Sequence, residues 1–428
     1  LSNSPDPVFY RRCDILLEVA SLPACGYTTL YLQDECAPGF AVPSSTEEAL
    51  ENPWLRLTLE GEQVVLVDKR SGKRWENLIQ LVDGGDAGDT YNYSPPEDDW
   101  RVTGAGALLH ADWQRGALVD TLSLSWSIAA PHTLADRQEH RCNARLDVSM
   151  VVMLDHQRPT LDLQVSVNNT LHDHRLQVEI PADVFTDVHF ADQPFGLIRR
   201  ANRPATLDVW QQENWGEAPA SLWPMQSLVM MHDGKQGISV VTDGLREYEI
   251  PAERPSVIAI TLLRSVGWLG RAGMPWRPGR ASGMALPSPD SQIPGEFSAR
   301  FALIPLCDGE SPNFWREVEA WRTPPVGWLD SGWARFKTNP HALTFPTAYS
   351  LLHWETPLHF STLKKAQRED ALILRGWNPG SQPQISSTPV ADATVCEVTL
   401  AEKSLNSSHE TIPACTPISW RITPAARG

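Results

Sequence analysis

Alternating apolar and polar residues recur along much of the chain. Four consecutive segments alternate in this way, at residues 122–128, 146–154, 161–167 and 176–180. Successive side chains of a strand point to opposite faces, so a period of two predicts antiparallel strands with one buried face. Further upstream, two apolar runs flank residues 60–62, Glu-Gly-Glu, and this arrangement predicts a β-hairpin.

Helical periodicity is clearest in one segment, SPNFWREVEAWR. Its apolar residues Phe314, Val318 and Trp321 fall at positions i, i+4 and i+7, the spacing of one helix face. Pro312 suits the first turn of a helix, where its missing N–H is not needed. Residues 311–340 are therefore interpreted as a helical connector.

The pattern as a whole predicts a mainly β protein with very few helices. We expect β lead-in strands over residues 1–48, with two strands within residues 15–33. A large antiparallel β-sandwich is expected over residues 49–310, and a small terminal β-sandwich module follows the connector over residues 341–428. The strands of this module are predicted at residues 349–354, 371–377, 394–400 and 417–422.

Composition narrows the classes of function. The formal net charge of −16 disfavours nucleic acid and anionic membrane surfaces, because both are bound by concentrated Lys and Arg. No segment approaches the ~20 apolar residues of a membrane span, and the N-terminus lacks a signal-peptide pattern. The seven cysteines are scattered without a CxxC pair, which favours reduced thiols and a cytoplasmic location. The 17 tryptophans suit a core first, although such rings also stack on sugars.

Residues 83–100, DGGDAGDTYNYSPPEDDW, concentrate carboxylates, glycines and tyrosines between two strand-like regions. Asp83, Asp86 and Asp89 are spaced three apart, with glycines between them. One interpretation is a solvated hairpin loop. A calcium loop does not fit, because its acidic ligands recur at every second position and end in a glutamate. The third interpretation is the edge of a sugar site, where glycines admit the ligand, carboxylates accept from hydroxyls, and tyrosines stack and donate.

Three other regions carry candidate chemistry. Arg264 follows an apolar run and is predicted at a strand end, either on the surface or gripping a carboxylate or hydroxyl. His172 and His174 flank an aspartate and suit a metal site, but a hairpin turn with outward polar side chains is favoured. Glu247 and Glu249 are predicted to lie on one face of a strand. They could form the carboxylate pair of a glycosidase, but a strand edge with solvated acidic side chains is the favoured interpretation.

Several of these stretches, in this order, resemble the C-terminal half of glycoside hydrolase family 38, the α-mannosidases, especially bacterial, mannosylglycerate hydrolase-like members. Residues 83–100 resemble the family's GDxGDxYxYSPP segment, and NNTLHDHRLQVEIP at 168–181 resembles its DHRLRV turn. ITLLRSVGWLGR at 260–271 and STLKKAQREDALILRGWNP at 361–379 follow in the family's order. The resemblance covers nearly all of residues 10–428.

The resemblance implies a galactose mutarotase-like supersandwich that belongs to a larger parent with an N-terminal catalytic domain. In the family, that domain holds the zinc ion, its His and Asp ligands, and the nucleophilic aspartate. No motif of this kind matches here, so no catalytic residue and no zinc ligand is expected in this chain. The parent would be a retaining α-mannosidase, with mannosylglycerate or its 6-phospho form among its candidate substrates, and the chain alone would be inactive.

The same resemblance implies that this half completes the sugar pocket. Tyr91 aligns with a family tyrosine that is expected to reach the substrate, and Arg264 with a second expected contributor. Asp86 and Asp89 would orient such groups or accept hydrogen bonds from sugar hydroxyls. The expected partners are a mannose-containing glycoside and the N-terminal catalytic domain, and homo-oligomerisation is left open. A non-catalytic carbohydrate-binding or scaffold module is the alternative, whereas a mutarotase-like epimerase lacks a convincing His/Glu pair.

Overall fold

A computed structural model gives the fold of the chain. It describes residues 15–19, 22–31, 47–307, 312–328, 346–352, 356–386, 393–405 and 409–424. These residues fall into two compact units. The smaller unit contains the described residues up to position 31 together with 346–352, and the larger unit contains all the others.

Strands dominate the larger unit, and the described part of the smaller unit contains two short ones. The first strands are β1 Tyr27–Thr28, β2 Ala49–Glu51, β3 Leu55–Glu60, β4 Gln63–Asp68, β5 Arg74–Trp75, β6 Gln80–Gly85, β7 Val102–Thr103, β8 Leu108–Gln114 and β9 Val119–Ala130. The next are β10 Ala144–Asp155, β11 Leu161–Asn169, β12 His174–Pro181, β13 Val188–Gln193, β14 Gly196–Ala201, β15 Leu222–Pro224, β16 Leu228–His232, β17 Gly237–Asp243, β18 Glu247–Glu249, β19 Val257–Ser265 and β20 Gly295–Leu306. The last are β21 Ala348–Tyr349, β22 His359–Lys365, β23 Leu372–Asn378, β24 Gln384–Ile385, β25 Ala393–Glu397, β26 Thr411–Ile412 and β27 Thr416–Pro424.

Two large antiparallel sheets share one hydrophobic core. One sheet has nine strands in the order β14-β13-β16-β17-β20-β11-β10-β9-β8, and the other has six in the order β15-β18-β19-β12-β6-β7. A four-stranded sheet, β2 to β5, contributes to the same core. The core residues Leu57, Leu124, Leu163, Val178 and Ile260 are each at most 2% exposed. The predicted antiparallel sandwich is therefore confirmed.

The four alternating segments all form strands, but one of them is buried on both faces. Residues 122–128, 146–154 and 161–167 lie in the neighbouring strands β9, β10 and β11, where burial alternates as predicted. Residues 176–180 lie in β12 of the six-stranded sheet, which is buried over nearly its whole length. The prediction of one exposed face is wrong there, because loop residues such as Tyr93 pack on its polar side.

The helices are few, as predicted. In the described residues they are α1 Leu134–Gln138 and α2 Pro312–Arg322, with 3₁₀ turns at Ala205–Asp208 and Pro289–Gln292. The helix α2 confirms the predicted pattern, because Phe314, Val318 and Trp321 are buried against the face of the nine-stranded sheet that points away from the main core. The helix α1 was missed within a polar stretch, where the Thr133 hydroxyl accepts from the Asp136 N–H and caps it.

The C-terminal strands of the larger unit form a four-stranded sheet in the order β22-β23-β27-β25 and a small pair, β24-β26. The strands predicted at 371–377, 394–400 and 417–422 are confirmed as β23, β25 and β27, whereas β22 was not predicted. Of the strand predicted at 349–354, Tyr349 lies in β21, which pairs with β1, residues 350–352 are not in a strand, and residues 353 and 354 lie outside the described residues. No helix among the described residues has the length and apolar character needed to cross a membrane.

The described part of the smaller unit is simpler than expected. Its two strands, β1 and β21, pair antiparallel and place Tyr27 opposite Tyr349. Two strands were predicted within residues 15–33, but β1 is the one strand that the described residues show there.

Candidate functional site

The acidic segment 83–100 starts at the end of β6 and continues into the loop that joins β6 to β7, and these strands pair antiparallel, so the interpretation as a hairpin loop is confirmed. The loop is solvated only in part, because its residues 90–91 and 97–98 are exposed and its three leading aspartates are not. Asp83, Asp86 and Asp89 are each at most 1% exposed. A buried carboxylate is costly unless it is paired, and each of the three has partners. Asp83 Oδ1 lies 2.5 Å from His174 Nδ1, and its Oδ2 accepts from Arg137. Asp83 therefore stabilises the base of the loop.

Asp86 holds the guanidinium of Arg264. Arg264 lies next to the end of β19, as predicted, and its Nε donates to Asp86 Oδ2 at 2.7 Å. Its Nη2 donates to the Asp89 carbonyl at 3.1 Å. Burial raises the pKa of the Asp86 carboxyl, and the charge of Arg264 opposes this rise. The Arg264 side chain is still 19% exposed, so the pairing orients the guanidinium without covering it.

Asp89 ties two loops together. Its Oδ1 accepts from the N–H groups of Tyr91 and Asn92, both at 2.9 Å. Its Oδ2 accepts from the Arg271 N–H at 2.9 Å and from Arg277 Nη2 at 2.5 Å. Burial alone would raise the pKa of the Asp89 carboxyl, but these donors outweigh it and lower that pKa. The network fixes the backbone of Tyr91 against the loop between β19 and β20.

A cleft of about 420 Å³ opens beside these loops, and both Tyr91 and Arg264 line it. Tyr91 is 56% exposed, and its ring lies so close to Gly283 that a Cβ there would be 2.8 Å from the ring. Asp86 and Asp89 are buried behind the cleft and are not part of its lining. The structure thus brings the four predicted site residues together, two on the surface of the cleft and two supporting them.

Several residues of the cleft were not predicted. They include Asn92, Tyr93, Glu217, Trp276 and Arg277. The ring of Tyr93 lies 3.7 Å from the guanidinium carbon of Arg175 and meets Trp276 edge-on at 5.5 Å. Burial raises the pKa of Tyr93 to about 12, so its phenol is neutral at physiological pH. Tyr93 therefore joins the cleft to the buried polar face of the six-stranded sheet.

The two glutamates of β18 have different surroundings, and the prediction of a solvated strand edge is wrong. Glu249 is 7% exposed, and its Oε2 accepts from Arg175 Nη2 at 2.6 Å. Burial would raise the pKa of Glu249, but Arg175 and Arg101 outweigh it and lower that pKa. Glu247 lines the cleft, and its Oε1 is buried with no hydrogen-bond partner among the described residues. Because Glu249 is tied to Arg175, the two do not form a glycosidase carboxylate pair.

The histidine turn is neither a hairpin nor a metal site. It joins β11 to β12, which lie in different sheets, and His174 is fully buried with its Nε2 2.9 Å from Asn169 Oδ1. The ring of His172 lies 5.0 Å from that of His132. Across the described residues, no group of three or more His, Cys, Asp or Glu side chains is arranged to hold a metal ion. These residues do not fit a zinc centre.

The missed cleft residues had weak signals in the sequence. Tyr93 follows Tyr91 in the same YNY run, so it could have been proposed on the same grounds. Trp276 and Arg277 lie in a loop rich in glycine and proline, where no periodicity marks a side chain as facing a site. Glu247 was noticed, but its polarity alone does not distinguish a cleft wall from a solvated strand edge.

Comparison with known proteins connects this cleft to a family. Residues 50–290 match the family model described as the glycosyl hydrolases family 38 C-terminal domain. The chain belongs to glycosyl hydrolase family 38. The matched residues include both loops that Asp89 joins, and the resemblance found in the sequence is confirmed. The sandwich and its cleft are thus part of the C-terminal region of a family 38 glycoside hydrolase.

Individual relatives agree with the family 38 assignment. A curated protein of Halalkalibacterium halodurans, provisionally named mannosylglycerate hydrolase, is 28% identical over 385 residues, 82% of this chain. Two solved structures from Enterococcus faecalis share the fold. An α-mannosidase of strain V583 matches 89% of this chain with a TM-score of 0.73 and a sequence identity of 21%. A protein of glycosyl hydrolase family 38 matches 90% of this chain with a TM-score of 0.73 and a sequence identity of 20%. The chain spans 39% of the curated relative and 42% and 45% of the two solved chains.

Proposed function

We propose that this chain is the C-terminal portion of a retaining α-mannosidase and that its cleft completes the sugar pocket of that enzyme. The observation that carries the proposal is the joint position of Tyr91 and Arg264 on one cleft, each supported by a buried carboxylate. The family 38 match gives the reaction class. Because the chain spans less than half the length of its relatives, the activity is proposed for a larger parent.

In this proposal Tyr91 and Arg264 bind and orient the mannosyl unit. The phenol of Tyr91 can donate to a sugar oxygen or accept from a hydroxyl, and a guanidinium donates to oxygens in a fixed plane. Asp86 sets that plane through Arg264 Nε, and Asp89 fixes the backbone of Tyr91. Fixed donors accelerate a reaction when they meet charge that develops in the transition state, because they need no reorganisation at that moment.

Retaining hydrolysis needs a carboxylate nucleophile and a second carboxyl group that protonates the leaving oxygen. We assign neither role to this chain, because Asp86, Asp89 and Glu249 are each held by an arginine and no segment of the sequence resembles the family's nucleophile motif. Family 38 mannosidases generally use zinc, which would hold sugar hydroxyls and help to distort the ring. The described residues do not fit such a centre, so we place the zinc ligands and the nucleophile in the rest of the parent.

A non-catalytic carbohydrate-binding module is the second candidate. It is favoured by one observation: the three buried carboxylates beside the cleft, Asp86, Asp89 and Glu249, are each paired with an arginine, so none of them is free to act as a nucleophile or an acid. The two candidates differ in what the gene encodes upstream. A retaining α-mannosidase needs an upstream region with His and Asp zinc ligands, whereas a binding module does not.

The experiment that tests the proposal is a hydrolysis screen of the full-length parent. Aryl α-mannoside, mannosylglycerate, its 6-phospho form and α-linked mannobioses are the substrates, with the matching aryl β-mannoside as the control. We expect release of α-mannose from at least one α-mannoside, with NMR showing retention of the anomeric configuration, and no release from the β-mannoside. Activity restricted to other glycosides, or β-mannose as the first product, would contradict the proposal.

A further inference from the structure

Glu247 is a carboxylate of the cleft that has no cation of its own. We infer that the cleft binds a neutral, hydroxyl-rich group, and that Glu247 selects this group against phosphorylated or carboxylated analogues. The inference rests on the proposed function and narrows its substrate class to uncharged mannosides. Two observations support it: the balance of charge among the residues that line the cleft, and three buried atoms of those residues that have no hydrogen-bond partner in the described part of the chain.

The two cations of the cleft are already neutralised. Arg264 Nε lies 2.7 Å from Asp86, and Arg277 Nη2 lies 2.5 Å from Asp89. Both carboxylates are buried directly behind the cleft, so neither arginine offers an uncompensated positive charge to a ligand. A site for phosphate usually presents arginines whose charge is free to pair with the ligand.

Neither of the two anions of the cleft, Glu217 and Glu247, has an ion pair of its own among the described residues. Glu217 Oε1 accepts from Asn92 Nδ2 at 2.6 Å, which is a neutral partner. Glu247 makes no hydrogen bond and no ion pair that the described residues show, and the buried Arg175, the cation on which its charge acts, is already paired with Glu249 at 2.6 Å. Two carboxylates therefore remain without a cation on the cleft, and they repel an anion that enters it.

The atoms of the cleft residues that lack a hydrogen-bond partner also suit a ligand with hydroxyl groups better than an anionic ligand. Glu247 Oε1 can only accept, whereas Trp223 Nε1 and Arg277 Nε can only donate, and all three atoms are buried without a hydrogen-bond partner in the described part of the chain. All three residues line the cleft. Buried polar groups are nearly always paired in folded proteins. A sugar hydroxyl both donates and accepts, whereas a phosphate or carboxylate mainly accepts and cannot serve Glu247.

The test is equilibrium binding by the 428-residue chain itself, followed by saturation-transfer NMR. The probes are methyl α-mannoside, which is neutral, and mannose 6-phosphate, which carries a dianionic group at neutral pH. We expect the neutral probe to bind at least roughly tenfold more tightly at low ionic strength, because an uncompensated carboxylate repels a phosphate at short range. The ratio should shrink as salt is added.

Glu247→Gln is the variant that locates the effect, and Glu253→Gln is its matched control, an exposed glutamate outside the cleft. Glu247→Gln should weaken the neutral probe by about threefold to tenfold and reduce its advantage over the phosphate, whereas Glu253→Gln should behave as the unmodified chain.

Three results would overturn the inference: mannose 6-phosphate binding as tightly as the neutral probe, no binding of the neutral probe, or equal behaviour of the two variants. Each is distinct from failure of the proposed function, which the hydrolysis screen of the parent decides.

Discussion

Each carboxylate that supports the cleft is matched to an arginine. Asp86 pairs with Arg264, and Asp89 pairs with Arg277. Breaking a buried pair by removing one partner costs more than breaking a surface pair, because the remaining charge stays desolvated. The residue types were visible in the sequence, but their burial was not, because it depends on loops that are distant along the chain. Asp89 and Arg277, for example, are 188 residues apart.

A buried histidine gives the first prediction, which concerns stability against pH. His189 Nδ1 lies 3.0 Å from Asn202 Oδ1, and its Nε2 lies 2.8 Å from the Tyr248 hydroxyl. Burial lowers the pKa of His189 from 6.5 to about 4. The folded state therefore disfavours protonation, and the stabilisation is complete above pH 6.5 and is lost as pH falls towards 4.

The free energy of unfolding should fall across this window, by at most roughly 3 kcal/mol from His189 alone. Urea unfolding between pH 4 and pH 7 measures it. The variant His189→Gln cannot titrate, so its stability should be lower at pH 7 and depend less on pH across the window. A variant with the same pH slope as the unmodified chain would show that His189 does not carry the effect.

At the scale of elements, two loops are held together by hydrogen bonds beside the cleft. The segment after β6 and the loop between β19 and β20 are joined by Asp89, and Thr90 Oγ1 also donates to the Leu269 carbonyl at 2.7 Å. The ring of Tyr91 rests against Gly283 of the second loop. The position of Tyr91 therefore depends on both loops.

The variant Gly283→Ala tests this dependence. The added Cβ would lie 2.8 Å from the Tyr91 ring, and the exposed ring can move away from it. We expect kcat/KM of the full-length enzyme for an α-mannoside to fall roughly 10- to 100-fold, because a shift of about 1 Å in a binding group can cost that much. The melting temperature should change little.

Gly216→Ala is the control for Gly283→Ala, since a Cβ at that glycine meets open space. It should leave both kcat/KM and melting temperature unchanged. Wild-type kcat/KM in Gly283→Ala would mean that contact with this loop does not position Tyr91.

The sequence predicted the positions of the strands better than it predicted which strand faces are buried by neighbouring loops and strands. Period-two alternation located β9, β10 and β11 because one side of each is apolar and buried in the core. The same reasoning failed for Glu249, since a polar residue on a strand face is exposed only if nothing covers that face. Arg264 was singled out by its place after an apolar run and Tyr91 by the family resemblance, whereas Tyr93 and Arg277 required the folded loops.

At the scale of the whole molecule, the large core predicts a chain that folds without further domains. The purified 428-residue chain should melt cooperatively, bind substoichiometric zinc by elemental analysis, and release no nitrophenol from an aryl α-mannoside. The cleft of this chain would then bind a sugar, while the groups that cleave the glycosidic bond would lie elsewhere in the parent enzyme. Hydrolysis that a chelator abolishes would show that the catalytic apparatus lies within this chain.

The thiols give a second prediction for the whole molecule. Among the described residues, the five cysteines Cys25, Cys142, Cys307, Cys396 and Cys415 are not in disulfides. Cys13 and Cys36 lie outside the described residues. The sequence predicts that all seven are reduced, because they are scattered, odd in number and include no CxxC pair. Titration of freshly purified, denatured protein without reductant should count seven thiols per chain, and a count of five or fewer would contradict this.

The contact between Tyr91 and the mannosyl unit is the central claim, and Tyr91→Phe in the full-length enzyme tests it most directly. The measurement is kcat/KM for a neutral aryl α-mannoside, with Tyr31→Phe as the control because Tyr31 is an exposed tyrosine of the smaller unit. A hydrogen bond to a partly charged group contributes about 1.5–3 kcal/mol, so kcat/KM should fall roughly 10- to 150-fold in Tyr91→Phe and stay unchanged in Tyr31→Phe. Wild-type kcat/KM in a folded Tyr91→Phe enzyme would contradict the account.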